Sequence, residues 1–196
     1  MQTIDFHLDF ISPYAWLAFD QLPVALEGLS YSVSYKPVLL GALLRHHGQL
    51  GPAEIPAKRD WTYRHVLWLA QSLNVPLQMP AVHPFNPLPL LRLALACVPA
   101  GAPGAPSRFV CEAIFRHVWC SEGADAIDAE RLENLSSALN PRLSVQDEAV
   151  KAQLKTHTDT AIAQGVFGVP AFVVDGCVFW GLDALPMLRA HLQARV

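Results

Sequence analysis

The sequence predicts an α/β fold in which an all-helical segment interrupts a single sheet. Apolar and polar residues alternate over residues 2–10, the period-two pattern of a β-strand, and a second strand signal follows at 31–38. Strand signals are then absent over 39–165 and return as two short runs at 171–174 and 177–180. Because both ends of the chain contribute to one sheet, the helices between them are predicted to be an insertion.

The first helix is predicted to begin directly after the first strand. Ser12 and Pro13 match an N-cap residue followed by proline at the first helical position. This helix is expected to run to about residue 27 and to end near Gly28. The β-α-β order predicts that the first two strands are parallel neighbours joined by a right-handed crossover.

Helical patterns fill the middle of the chain. Asp128 and Ser144 are expected to be N-caps, and Gly165 is expected just after the last of these helices. A loop rich in Pro and Gly at 99–106 is the segment most expected to be disordered. The predicted helices span residues 38–47, 57–73, 87–98, 106–120, 128–139 and 145–164.

The C-terminal part predicts a hairpin and one more helix. Asp175 and Gly176 separate the two short strand-like runs, and an Asp-Gly pair in that position is a strong hairpin signal. A final helix is expected over 183–194, with Asp183, taken alone, as its N-cap.

Composition excludes several classes of function. With 52% hydrophobic and 16% charged residues, the chain of 196 residues is not a disordered protein. The formal net charge of −3 provides no basic excess for nucleic acid, and no polybasic or lipid-anchor segment indicates a membrane surface. We recognise no secretory signal and no apolar run of about 20 residues. Four cysteines without a CxxC pair are typical of a cytoplasmic protein with reduced thiols.

The histidines and cysteines form no known metal motif. H-E-x-x-H is absent, and His117 and Cys120, which share a helix face, are too few for a tetrahedral site. We therefore expect no metal. The sequence also lacks G-x-G-x-x-G and P-loop motifs, so it gives no sign of a nucleotide cofactor.

Three positions allow both a structural and a functional interpretation. Ser12 is either a plain N-cap or a hydroxyl that stabilises an anion, such as a thiolate, at the positive end of a helix. Lys58 and Arg59 begin a helix, where cations oppose the dipole, so they are either a solvated pair or part of a site. Val169-Pro170, taken alone, predicts an ordinary strand start, since only about 5–6% of X-Pro bonds are cis.

Six segments together resemble the 2-hydroxychromene-2-carboxylate isomerases, relatives of kappa-class glutathione transferases in the DsbA-like branch of the thioredoxin superfamily. The resemblance extends over nearly the whole chain. Each segment is modest by itself, but their order is specific. The segments are DFISPYAW (9–16), PVLLGALL (37–44), PAKRDW (56–61), HPFNPLPLLRLALA (83–96), VFGVPAFVVDG (166–176) and FWGLD (179–183).

This resemblance implies a thioredoxin-like fold with an inserted all-helical subdomain. It divides the chain into two parts. Residues 1–38 and 166–196 form the thioredoxin-like domain, together with the helix at 145–165 that joins it, and residues 39–144 form the inserted helical subdomain. It also implies a homodimer that uses glutathione as its cofactor.

The resemblance further assigns a glutathione site at the C-terminal end of the chain. It implies a cis peptide at Val169-Pro170, where the main chain of Val169 would pair with the glutathione backbone. Gly181, Leu182 and Asp183 match the loop for the γ-glutamyl end, and Asp183 would pair with its ammonium group.

Ser12 stands where DsbA-like oxidoreductases carry the first cysteine of CxxC. Without sulfur at this position, disulfide exchange here is excluded, and glutathione would supply the thiol instead. The Ser12 hydroxyl would then lower the pKa of that thiol. Gln49, which stands where relatives often have Asn, is the remaining candidate for glutathione binding.

The implied substrate is a small aromatic carboxylate. Lys58, and secondarily Arg59, is the expected partner of its carboxylate, and Trp61 and Phe85 are expected beside its ring. Trp61 stands where Tyr is common and His65 where Asp is common, so the sequence departs from its relatives at positions that bear on substrate choice.

The implied activity is glutathione-dependent cis-trans isomerisation of a ring-opened aromatic catabolite. A thiolate would add reversibly to a conjugated carbon, the bond would rotate, and the thiolate would leave. Two alternatives stay open. One is a kappa-class-like glutathione S-transferase, whose product is the conjugate, and the other is a redox-inactive thioredoxin-fold protein for binding or chaperoning.

Overall fold

Residues 2–98 and 104–194 are described by the computed structural model, and they form four strands and eight helices. The strands are β1 (Gln2–Leu8), β2 (Tyr31–Pro37), β3 (Ala171–Val174) and β4 (Cys177–Trp180). The helices are α1 (Pro13–Ala25), α2 (Leu40–His46), α3 (Pro56–Leu73), α4 (Leu88–Ala96), α5 (Arg108–Trp119), α6 (Ala129–Leu139), α7 (Glu148–Ala163) and α8 (Leu185–Gln193). The loop predicted to be disordered, 99–106, falls mostly outside the described residues.

The four strands form one sheet in the order β2-β1-β3-β4. β1 and β2 run parallel, as the β-α-β order predicts, whereas β3 is antiparallel to both of its neighbours, β1 and β4. The helices α2 to α7 lie between β2 and β3 in the chain, so the predicted α/β class with inserted helices is confirmed. The division into two subdomains stays a prediction.

The side chains of β1 alternate between the two faces of the sheet. Ile4, Phe6 and Leu8 are fully buried in the larger core, where the Phe6 ring lies 4.6 Å from that of Phe172 on β3. His7 points to the opposite face of the sheet, towards α7. The segment that follows β1 and leads into α1 is therefore fixed at the centre of the molecule.

The β3–β4 hairpin turns at Asp175 and Gly176, as predicted. Their φ angles are 50° and 79°, so both residues are left-handed, as the two central residues of a type I′ turn are. This turn matches the right-handed twist of the strands and fixes their register, in which Val174 lies opposite Cys177.

Replacement of Gly176 tests this turn. Gly176→Ala should lower the free energy of unfolding by about 1–2 kcal/mol, because a Cβ disfavours the left-handed conformation. Gly41→Ala is the matched control: Gly41 lies in α2 with open space around it, so the substitution should instead add about 0.5–1 kcal/mol. Urea denaturation of both variants measures the difference, and equal effects would contradict the assigned turn.

Side-chain caps confirm some of the predicted helix starts. Ser12 and Asp128 accept N–H groups from the first turns of α1 and α6. The prediction that Ser144 caps α7 is wrong. Asp147 does so by accepting the N–H of Ala149 at 2.8 Å, while the Ser144 hydroxyl accepts an N–H in the turn before the helix.

No helix of the described residues has both the length and the apolar character needed to cross a bilayer.

Two histidines are buried between the sheet and α7. His7 is 2% exposed and His157 is 5% exposed, and the Nδ1 atom of His157 lies 3.2 Å from the carbonyl oxygen of Pro37. Burial lowers the pKa of each to about 4, and the nearby charge of Lys36 acts in the same direction. Both imidazoles are therefore neutral at pH 7.

Candidate active site

Ser12 lies where the loop after β1 enters α1. Its Oγ atom accepts the N–H of Ala15 at 3.2 Å, so the N-cap interpretation is confirmed. The same hydroxyl lies 3.5 Å from the carbonyl oxygen of Val169, to which it donates a long hydrogen bond. Ser12 is 6% exposed, and its hydroxyl thus faces both the first turn of α1 and the loop before β3.

The Val169-Pro170 peptide bond is cis, as the resemblance implies and against the expectation from the residues alone. The N–H of Val169 finds no acceptor among the residues that the structure describes. The carbonyl of Pro170 accepts the N–H of Gly181 at 2.9 Å. These contacts bring together three parts of the chain that are far apart in the sequence. They are Ser12, the segment around Val169-Pro170 (the cis-proline loop) and the start of residues 181–183 (the Gly181 loop).

Asp183 lies in the short 3-10 turn Leu182–Ala184 at the end of the Gly181 loop. The prediction that it caps the last helix is wrong, because α8 begins two residues later and Ala184 occupies the cap position. Gly181 has a φ of 98°, and a Cβ there would collide with the Asp183 carboxylate. Only glycine therefore allows this carboxylate to lie over the loop.

Asp183 also lies close to the first turn of α1. Burial raises the pKa of the Tyr14 hydroxyl, and the negative charge of Asp183 adds to that effect. Tyr14 follows Ser12 by two residues. Ser12 and Asp183 are therefore placed on two sides of one region at the N-terminus of α1.

Tyr14 connects this region to α3, a link that the sequence did not predict. Its hydroxyl lies 2.8 Å from Nδ1 of His65. The His65 ring in turn has its centroid 4.7 Å from that of Trp61 and is stacked on that of Trp68 at 6.0 Å, with 14° between the planes. The helix spacing of residues 61, 65 and 68 is a sequence signal for this shared face.

A hollow of about 480 Å³ lies on this face of α3. Its walls are Trp61, Arg64, His65 and Trp68. The indoles are 56% and 60% exposed, which is unusual for such large apolar groups. Sequence reasoning singled out Trp61 here but missed Arg64 and Trp68.

The structure separates the two cations predicted at the start of α3. Lys58 precedes Trp61 by three residues and so extends the face of the hollow by one turn. Arg59 lies on another side of the helix, where its Nε atom is 3.9 Å from the Asp60 carboxylate and its charge acts on Tyr63. Neither cation is among the walls of the hollow, and the role of Lys58 and Arg59 in substrate binding stays a prediction.

The two other predicted residues are placed differently. Phe85 is 7% exposed and belongs to the core rather than to the walls of the hollow. Gln49 follows α2, is exposed, and donates its main-chain N–H to the carbonyl of Leu44 at 2.8 Å. Its side chain is therefore free to contact a ligand.

His83 holds the loop before Ser12 in place. Its Nε2 atom lies 2.8 Å from the carbonyl oxygen of Ile11, and its Nδ1 atom lies 2.7 Å from the Tyr63 hydroxyl. Burial lowers the pKa of His83, so the ring is neutral at pH 7. We infer that Nε2–H donates to Ile11, because an imidazole nitrogen bonded to a carbonyl must carry the proton, and that Nδ1 is an acceptor. The one proton of the Tyr63 hydroxyl is then shared between Nδ1 and the carbonyl oxygen of His83, which lies 2.9 Å from that hydroxyl.

Asp9 holds the same loop from the other side. Its carboxylate is fully buried and accepts N–H groups from Ile11 at 3.2 Å and from Leu40 at 2.9 Å. Burial raises its pKa to about 7, and these hydrogen bonds oppose the shift. Asp9 thereby ties the loop before Ser12 to the start of α2.

Neither a thiol nor a metal cluster contributes to this site. The four cysteines are free, and burial raises the pKa of Cys111 far above its ordinary value. Within residues 2–98 and 104–194, no three His, Cys, Asp or Glu side chains are grouped to hold a metal ion. The polar groups at the N-terminus of α1 are thus a serine hydroxyl, a tyrosine hydroxyl and a carboxylate.

Comparison with known proteins agrees with this architecture. The 2-hydroxychromene-2-carboxylate isomerase of Pseudomonas putida is 27% identical over 197 residues, which cover 96% of this chain and 93% of that protein. Glutathione S-transferase kappa 1 of Rattus norvegicus is 24% identical over 202 residues, 95% of this chain and 89% of the relative. A solved 2-hydroxychromene-2-carboxylate isomerase structure has a TM-score of 0.79 at 24% identity, with 98% of this chain and 95% of that one covered.

The match to a family model extends over almost the whole chain. The model describes a DSBA-like thioredoxin domain and matches residues 3–193. This range includes all four strands except for Gln2 at the start of β1, and it includes the inserted helices, Ser12 and the cis-proline loop. The chain therefore belongs to the family of DSBA-like thioredoxin domains.

Proposed function

We propose that this protein is a glutathione-dependent isomerase of the 2-hydroxychromene-2-carboxylate type, acting on a ring-opened aromatic carboxylate. The observation that carries the proposal is the meeting of Ser12 with the Val169-Pro170 loop at the N-terminus of α1. The names of the relatives, both isomerases and glutathione transferases, support the same chemistry.

The residues at the site fit glutathione. The free N–H of Val169 is available to a carbonyl of a peptide-like ligand, in the manner of an added β-strand. The exposed carboxylate of Asp183 suits the α-ammonium of the γ-glutamyl group. A ligand that spans these two points places its central cysteine near Ser12.

Bound glutathione supplies a thiolate that adds reversibly to a conjugated double bond, so that the bond can rotate before the thiolate leaves. The part of Ser12 is to hold that sulfur as an anion. Its bond to Val169 is long at 3.5 Å, so the hydroxyl can turn to a thiolate at little cost. The positive end of α1 acts in the same direction.

Asp183→Asn tests the glutathione site directly. The variant should weaken glutathione binding about five- to tenfold, because an amide replaces a charge-assisted hydrogen bond to an ammonium group. Asp159→Asn is the matched control, since this carboxylate is exposed on α7 and pairs there with Lys155. Calorimetric titration of both variants measures the effect, and equal affinities would remove Asp183 from the binding site.

The transferase alternative shares the same thiolate and the same residues. A curated kappa-class transferase is among the relatives, and this observation keeps the alternative open. Incubation with glutathione and a chloronitrobenzene, followed by mass spectrometry, separates the two functions. Accumulated conjugate would favour a transferase, whereas turnover of 2-hydroxychromene-2-carboxylate without loss of glutathione would favour the isomerase.

The binding-protein alternative is tested by titration of reduced glutathione into the wild-type protein at neutral pH. Saturable binding supports an enzyme of the proposed type. Absence of heat at millimolar glutathione, at two temperatures, would leave a redox-inactive binding protein. The proposal also includes a homodimer in the cytoplasm, where glutathione is kept reduced, and light scattering measures the dimer.

A further inference from the structure

We infer that Arg64, which lines the hollow together with the indoles of Trp61 and Trp68, binds the carboxylate of the substrate and determines specificity for aryl carboxylates. This inference rests on the proposed function, because it places the substrate of the same reaction. Arg64 then takes the role that the sequence assigned to Lys58 and Arg59, and Trp68 is a second aromatic contact besides Trp61.

The walls of the hollow suit a flat aromatic group. Two indoles about half exposed to water lie on one helix face, with the His65 ring between them. Covering apolar surface of this kind contributes about 25 cal/mol per Å². The hollow has a volume of about 480 Å³, is open to solvent and takes all its walls from α3, so a flat ligand with two rings would lie against it with one face in water.

The charge of the hollow selects an anion. Arg64 is exposed and makes no ion pair within the described residues, whereas its neighbour Arg59 lies beside Asp60. None of the lining residues Trp61, Arg64, His65 and Trp68 carries a carboxylate. A guanidinium group offers two parallel N–H donors to a carboxylate, a geometry that the ammonium group of Lys58 lacks.

The hollow adjoins the proposed chemistry through one contact. His65 in its wall accepts or donates a hydrogen bond of 2.8 Å with Tyr14, which lies in the same helical turn as Ser12. A substrate held by Arg64 and the indoles would therefore extend towards the N-terminus of α1. Substrate orientation, with the carboxylate on α3 and the conjugated chain towards Ser12, follows from this arrangement.

The experiment uses 2-naphthoate as an anionic probe and 2-naphthamide as its neutral counterpart, both without glutathione. The protein carries 5-fluorotryptophan, and its five resonances are assigned with single Trp→Phe variants. We expect 2-naphthoate to shift the fluorine resonances of Trp61 and Trp68 and to leave those of the buried Trp16 and Trp119 unchanged. Trp180 is exposed but lies beside Gly168 and the Gly181 loop, so a shift of its resonance reports binding outside the hollow.

Arg64→Gln should weaken 2-naphthoate binding about five- to tenfold and leave 2-naphthamide binding unchanged. Arg59→Gln, the matched control, should affect neither ligand. Equal effects of the two variants, or equal wild-type affinities for the two probes, would overturn the role of Arg64. Glutathione affinity is measured separately. If the protein binds glutathione but 2-naphthoate does not bind in the hollow, this inference is refuted and the proposed function stands.

Discussion

Ser12→Ala should raise the pKa of the thiol of bound glutathione by about one to two units. A hydrogen bond to a charged group contributes about 1.5–3 kcal/mol, and each pKa unit corresponds to about 1.4 kcal/mol. Since only the thiolate reacts, turnover at neutral pH should fall about ten- to a hundredfold. Thiolate absorbance near 240 nm, followed against pH with glutathione bound, measures the shift, and the pH profile of turnover should move with it.

The variant also removes a helix cap, which costs about 1 kcal/mol of stability by itself. Ser107→Ala is the matched control, because the Ser107 hydroxyl caps α5 by accepting the N–H of Val110 at 3.3 Å. It should cost similar stability and leave the thiol pKa unchanged. An unshifted thiol pKa in Ser12→Ala would remove Ser12 from the chemistry.

Acidification from pH 7 to pH 4.5 should lower the free energy of unfolding by about 2 kcal/mol through His7, His157 and Asp9 together. The lowered pKa values of His83 and His117 add to this loss. His7 and His157 have pKa values of about 4 in the folded protein, against 6.5 when exposed, so the unfolded chain takes up their protons at a higher pH. Each histidine therefore lowers the free energy of unfolding by ~2.5 kcal/mol over this range. Asp9 acts in the opposite direction. Its pKa of about 7 in the folded protein lies above the ordinary value of 3.8, so the folded state takes up the proton at a higher pH than the unfolded chain does. This proton adds ~3 kcal/mol to the free energy of unfolding over the same range.

Three variants separate these contributions in urea denaturation at the two pH values. His7→Gln should reduce the loss of stability by about 2.5 kcal/mol, because the contribution of this histidine is gone. Asp9→Asn should steepen the loss to about 5 kcal/mol, since the compensating proton is gone. Gln71→Ala, at an exposed residue without a titratable side chain, should leave the dependence as in wild type. Wild-type stability that rises on acidification would contradict the assigned burial of the histidines.

Local signals in the sequence predicted the elements of the fold. The Asp175-Gly176 turn and the Ser12 cap depend on residues that are adjacent in the chain, so their physics is visible without tertiary structure. Ser144 failed as a cap because Asp147, three residues later, accepts the N–H of Ala149 instead. Asp183 failed because a 3-10 turn precedes α8 and leaves Ala184, which has no capping side chain, at the cap position.

The candidate site was predictable only in part. The resemblance led to Ser12, Val169 and Asp183, which the structure brings to one end of α1. The contact of Tyr14 with His65 could not be predicted, because it depends on how α3 packs against α1 and spans 51 residues. Packing of the same kind places Phe85 in the core rather than in the hollow.

The order of the strands has a consequence for synthesis of the chain. β1 is a central strand, but its neighbour β3 follows the whole helical insertion, and Ser12 and Val169 are 157 residues apart. On the ribosome, β1 therefore exposes one edge until nearly the entire protein has emerged. An unpaired edge beside Phe6 and Leu8 is prone to aggregate, so a nascent chain that stalls before β3 depends on chaperones for its solubility.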